Sequence, residues 1–139
     1  MGLREVITLP HIAINIPKGI LTTMNQLYEL EQKIANHGDP ANLSRNISRI
    51  KDALAEEGFT VVDYGGDQRA IGLAYEDPMG QPFNETRTDL EASIAGSDTD
   101  NLVVVEVIKP IIRAVLTDSS GKFYQLVQRG VVTVESRKE

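Results

Sequence analysis

Asn101-Leu102-Val103-Val104-Val105-Glu106-Val107-Ile108-Lys109-Pro110-Ile111-Ile112 is the stretch on which the reading of this chain turns. Most of it is β-branched, a composition that suits a strand buried on both faces, because Val and Ile pack well on a pleated surface. Pro110 has no N–H to give to a ladder, so the strand is expected to stop or bulge there. Beyond it, Ala114-Val115-Leu116, a turn at Thr117 to Lys122, and the run from Phe123 to Val134 predict further strands near 112–117, 123–128 and 130–135.

Working outward, Phe59 to Tyr64 reads as a strand, Gly65-Gly66-Asp67 as a turn, and Ala70 to Tyr75 as a second strand. Glu76 to Pro82 has loop composition. Leu90, Ala92 and Ile94 alternate with Asp89, Glu91 and Ser93, which gives a short, half-exposed strand. The period is helical upstream. Pro17 or Lys18 starts a helix that Gly38 stops after His37, with Ile20, Leu27 and Ile34 seven residues apart and Met24 and Leu30 between them. Asp39-Pro40 then reads as an N-cap with proline at the first helical position. Leu43, Ile47, Ile50 and Leu54 form the stripe of this second helix, and Gly58 closes it. At the N-terminus, Ile12, Ile14 and Ile16 alternate with His11, Ala13 and Asn15.

The fold class expected is therefore α+β: an extended arm at 1–16, an antiparallel helix hairpin at 17–58, and a small antiparallel all-β head at 59–139. A two-helix hairpin has little to bury against internally. Pairing with a second copy would form a dimeric four-helix bundle, removing apolar surface from water at about 25 cal/mol per Å², and is favoured over the rival of packing onto the chain's own β module. The interface residues expected are Ile20, Met24, Leu27, Ile34, Leu43, Ile47, Ile50 and Leu54.

Composition narrows the function. A chain of 139 residues with a net charge of −6 repels phosphate backbones, and with only three Phe, four Tyr and no Trp it is not expected to offer base-stacking platforms. Cysteine is absent, which excludes disulfides, thiolate metal sites and cysteine nucleophiles. With no apolar signal core and no long apolar run, a cytoplasmic protein without membrane contact is expected. Chemistry finds little support. His11 lies in the arm, and His37 sits in the last helical turn, where a histidine interacts with terminal carbonyls. Gly65-Gly66-Asp67 and Ser119-Ser120-Gly121 read as turns. The best enzyme-like candidate is the acidic loop Asn84 to Glu91, whose Glu85, Asp89 and Glu91 would need a concave site to hold a cation or a substrate. It lacks the glycine-bearing spacing of a calcium loop, Arg87 could neutralise its neighbours, and the blander reading is a polar loop capping a strand. No catalytic residue, metal site or cofactor is assigned, and enzyme activity is not expected.

The order of the elements resembles the C-terminal part of the GrpE family from about Leu21 to Val134. Leu54-Ala55-Glu56-Glu57-Gly58-Phe59 resembles that family's helix end before its first strand. Pro82-Phe83-Asn84-Glu85 and Leu90-Glu91-Ala92-Ser93-Ile94 are similar to Phe-Asp-Pro followed by His-Glu-Ala-Val. Val104-Val105-Glu106-Val107-Ile108 matches Val-Val-Glu-Val-Leu, and Gly130-Val131-Val132-Thr133-Val134 matches Ala-x-Val-x-Val. The family's Gln-Lys-Gly-Tyr turn is replaced by Lys109-Pro110-Ile111-Ile112, Arg-Pro-Ala by Gln128-Arg129-Gly130, and the long N-terminal coiled coil by the arm at 3–16.

The resemblance implies a homodimeric cochaperone that binds the ATPase domain of a DnaK-type chaperone and promotes nucleotide release by favouring its open state. The matching contact positions would be Ile108, Ile111 and Ile112, with Arg113, Gln125 and Arg129 as a polar rim. The alternative is a non-catalytic dimeric adaptor that kept the scaffold and changed partner.

Overall fold

The computed structural model describes residues 4–8, 13–61, 71–118 and 121–137. In chain order these form β1 (Arg4–Thr8), β2 (Ala13–Pro17), α1 (Lys18–His37), α2 (Leu43–Glu56), β3 (Phe59–Val61), β4 (Ile71–Glu76), β5 (Leu90–Ala95), β6 (Leu102–Lys109), β7 (Ile111–Asp118), β8 (Gly121–Gln128) and β9 (Gly130–Ser136). The α+β class holds. The expected turns at 65–67 and 119–120, and His11 with Ile12, lie outside the described residues.

Helix boundaries follow local chemistry closely. Gly38 takes φ +79° and its N–H donates to the Ile34 carbonyl at 2.8 Å, ending α1 where a side chain would be strained. Gly58, at φ +90°, does the same for α2 through the Ala55 carbonyl at 3.0 Å. The start of α2 departs from expectation. Pro40 lies in a turn before the helix, and Asn42 adopts a left-handed φ of 56°. Asp39 still serves the helix from four residues upstream. Its carboxylate accepts the Leu43 N–H at 2.5 Å, the Ser44 N–H at 3.0 Å and the Ser44 hydroxyl at 2.6 Å.

Strand pairing is mostly antiparallel but mixed, which corrects the all-antiparallel head. The sheets are β1-β2, β3-β4-β7-β8 and β5-β9-β6. β3 runs parallel to β4, with Phe59 opposite Ile71, and β5 runs parallel to β9, with Leu90 opposite Gly130. The second pairing needs no crossover helix, because the 34 residues between the two strands build β6, β7 and β8 on the way.

The chain divides into two compact units, and the division cuts across the expected boundaries. One comprises Met1–Ala74 with Ala114–Gln125, the other Tyr75–Arg113 with Leu126–Glu139. In the first, α1 packs on α2 and on β2, and α2 packs on β3. Met24, Leu27, Ile47 and Leu54 are buried there, as are Leu21, Tyr28, Leu73, Ala74, Ala114 and Val115 of the same unit. The helix hairpin therefore does not wait for a second copy to cover these four seam positions. Strand residues assigned to the expected head belong to the helical unit and share its core.

In the second unit Leu90, Leu102, Val104, Ile111, Val132 and Val134 form one buried cluster, with Phe83, Ala92, Val107 and Leu126 packed against it. Burial of each such aliphatic side chain contributes about 1.5–3 kcal/mol. β6 is buried on one face only, and from Glu106 onward its side chains are half-buried or exposed. Its register with β9 slips twice, between Val104 and Glu106 and between Val107 and Lys109, so Val105 and Ile108 are the extra residues of two bulges. The expected bulge thus comes just ahead of Pro110.

Candidate functional site: the bulged end of β6 and its ion-paired support

Five of the six residues expected to meet a partner lie in the second unit, and their exposures differ sharply. Ile108 is 53% exposed. Ile111 and Ile112 are fully buried, which corrects their place as surface anchors: Ile111 belongs to the buried cluster of this unit, and neither offers a side chain to an incoming surface. Arg113 is engaged within the chain rather than free at a rim, and Arg129 is exposed while its guanidinium donates to the Leu90 carbonyl at 2.6 Å. Gln125 is half-buried and belongs to the first unit.

On the helices, Met24, Leu27, Ile47 and Leu54 are buried within one chain, whereas Ile20, Ile34 and Ile50 are half-buried and Leu43 is 40% exposed. A groove of about 300 Å³ runs between the helices, lined by Glu31, Ile34, Ala35, Ser44, Ile47, Ser48 and Lys51. Lys51 Nζ lies 3.1 Å from Glu31 Oε1, the pairing expected of antiparallel neighbours.

The acidic loop proves to be a brace. Asp89 receives Arg87 through Nε at 2.9 Å and Nη2 at 3.2 Å, and Arg113 through Nη2 at 2.8 Å. Arg87 also donates to the Pro82 carbonyl at 3.0 Å and to Gln81 Oε1 at 3.1 Å. Gln81 in turn donates to Glu76 at 3.2 Å, and Glu76 lies 3.8 Å from Arg113. The hydrogen bond from Arg87, with the charges of Arg87 and Arg113 behind it, holds the Asp89 carboxyl below its ordinary range against the opposing effect of burial. Both Asp89 oxygens are thereby taken by guanidinium groups. Glu85 and Glu91 are exposed, and among the described residues no three acidic or histidine side chains come together as a metal-binding group.

The sequence shows Arg87 close to Asp89 but gives no hint of Arg113, which is 24 positions away and arrives only through the register of β7. The brace holds the 76–89 segment beside the first half of β6. Gly80 N–H donates to the Val104 carbonyl and Val104 N–H to the Gln81 carbonyl, both at 2.9 Å, and Phe83 N–H donates to the Leu102 carbonyl at 2.9 Å. This cover runs from Leu102 to Val104, and Met79, 51% exposed, stands at its end. Met79 is an apolar surface residue that loop composition alone does not flag.

Comparison with protein-family models, with curated proteins and with solved structures returns no match. Among the described residues, no helix is long and apolar enough to cross a membrane.

Proposed function

We propose that this chain is a GrpE-like cochaperone, working in the cytoplasm by protein contact on the ATPase domain of a DnaK-type chaperone and promoting nucleotide release. The observation that carries the reading is Ile108. It is the one apolar residue of the three matched contact positions that stands exposed, and it does so at a bulge on a strand end backed by a buried core. A large aliphatic side chain on a stiff support suits an interface anchor, since a few central residues dominate such contacts. The matched segments at 90–94, 104–108 and 130–134 also meet in one sheet, β5-β9-β6, which gives their shared order a spatial counterpart.

In this reading the helices contribute a four-helix bundle with a second copy through Ile20, Ile34, Leu43 and Ile50, the seam residues that keep exposed surface. Release of ADP from a DnaK-type ATPase domain, timed with and without the chain, tests the activity. Acceleration that Ile108→Ser removes supports it, and neither binding nor acceleration refutes it.

The burial of Ile111 and Ile112 favours a second reading. With two of three aliphatic anchors withdrawn into the core, the scaffold would serve as an adaptor for a different protein, still through Ile108. Direct binding to the ATPase domain without any change in ADP release would point to this alternative.

A further inference from the structure

We propose that the outer edge of β5 is a self-association surface, on which β5 of a second copy pairs antiparallel about a two-fold axis at Ser93. Hydrogen-bond parity decides which edge each β5 residue serves. Gly130 N–H donates to the Asp89 carbonyl, and Leu90 is the register partner of Gly130. The odd-numbered residues of β5 therefore direct their backbone groups toward β9. Leu90, Ala92 and Ile94 direct theirs to the opposite edge, because N–H and C=O alternate sides along a strand. On that edge Arg129 covers the Leu90 carbonyl at 2.6 Å. Among the described residues nothing pairs with Ala92 or Ile94 there, since β5 is an end strand of its sheet.

The two edges of this sheet are treated differently. β6, at the other end, carries the devices that discourage edge pairing: two bulges, Lys109, Pro110 and the covering segment at 80–83. β5 has neither bulge, nor proline, nor lysine, and its six residues Leu-Glu-Ala-Ser-Ile-Ala end in Ile94, 45% exposed.

A second copy of β5 fits the available groups. With the axis at Ser93, Ala92 of each copy faces Ile94 of the other as a hydrogen-bonded pair. The N–H and C=O of both Ala92 and Ile94 are then used in each chain. Ser93 meets itself, Glu91 meets Ala95, and Ile94 meets Ala92, so no like charges stand opposite one another. Moving the axis to Ala92 would instead require the Leu90 carbonyl that Arg129 occupies. The surface is distinct from Ile108 and from the helical stripe, so it stands or falls independently of the proposed chaperone contact.

The test uses the absence of cysteine from the chain. At the axis Ser93 forms a non-hydrogen-bonded pair, with Cα atoms about 4.5 Å apart, within reach of a disulfide. Ser93→Cys under mild oxidation is expected to yield covalent dimers, and Glu91→Cys is not. In sedimentation over a range of protein concentrations, the chain with Leu43→Lys, which disables helical pairing, is expected still to dimerise, and more tightly as salt screens its net charge. In that same background Ile94→Lys and, as a backbone test, Ala92→Pro should weaken the dimer at least tenfold. A Leu43→Lys protein that stays monomeric, a dimer kept in full with Ile94→Lys, or cross-linking at Glu91→Cys but not at Ser93→Cys would each overturn the proposal.

Discussion

Replacing Asp89 probes how the structure supports its exposed β6 surface. Asp89→Ala removes three charge-assisted hydrogen bonds at once, two from Arg87 and one from Arg113. Arg87 keeps the Pro82 carbonyl and Gln81, whereas Arg113 retains Glu76 at 3.8 Å, too long for a hydrogen bond. The side chains of Asp89, Arg87 and Arg113 are 21%, 24% and 20% exposed, so water recovers part of the loss. A hydrogen bond to a charged group is worth about 1.5–3 kcal/mol, and a fully buried pair broken from one side costs about 3–5 kcal/mol. Half-burial places Asp89→Ala at about 2–3 kcal/mol, read as a lower urea midpoint at unchanged slope. A double-mutant cycle with Arg113→Met should return a coupling of about 1–2 kcal/mol. The sign with pH follows from the depressed carboxyl. Its stabilisation is complete above the ordinary value of 3.8 and is lost as pH falls through the lower folded value, so Asp89→Asn should flatten that acid limb. Coupling below about 0.3 kcal/mol, with an acid limb identical to wild type, would refute the brace.

Four other outcomes follow from the same structure. Gly130→Ala would place a methyl 2.9 Å from both Ile111 Cγ1 and Leu90 Cδ2, so thermal unfolding should show a loss of about 1–3 kcal/mol from overpacking. Leu27→Ala should cost about 2–5 kcal/mol at every protein concentration, because Leu27 is buried by its own chain; a loss that appears only at high concentration would return it to an interface. Asp39→Ala should lower the amide protection factors in the first turn of α2, and in the wild type acidification should lower them too, relative to the intrinsic exchange rate at each pH. The Ser44 hydroxyl and N–H hold that carboxyl below its ordinary value, and the cap is lost as it protonates. Ile108→Ser should leave the unfolding free energy within about 0.5 kcal/mol of wild type, since the residue is more than half exposed already.

Local signals in the sequence were reliable where local physics decides. The ends of α1 at Gly38 and of α2 at Gly58 follow from backbone freedom, and the strands near 102, 112, 123 and 130 follow from β-branched runs. Pairing partners were not legible, because the parallel match of Leu90 with Gly130 depends on a connection through three intervening strands. Apolar stripes on α1 and α2 signal burial without naming what covers them; here much of the covering is intramolecular. Ile108, Ile111 and Ile112 are alike by residue type, and only the bulge at Val107/Lys109 separates the exposed one from the two in the core. The brace required Arg113 to land beside a loop 24 residues earlier, which no spacing rule foretells.

The most direct test of the account is the rate at which labelled ADP leaves a DnaK-type ATPase domain on mixing with excess chain. Release is expected to be faster, and to return to the basal rate with Ile108→Ser in a protein that remains folded. Unchanged release with the wild type, or acceleration that persists in Ile108→Ser, would contradict it.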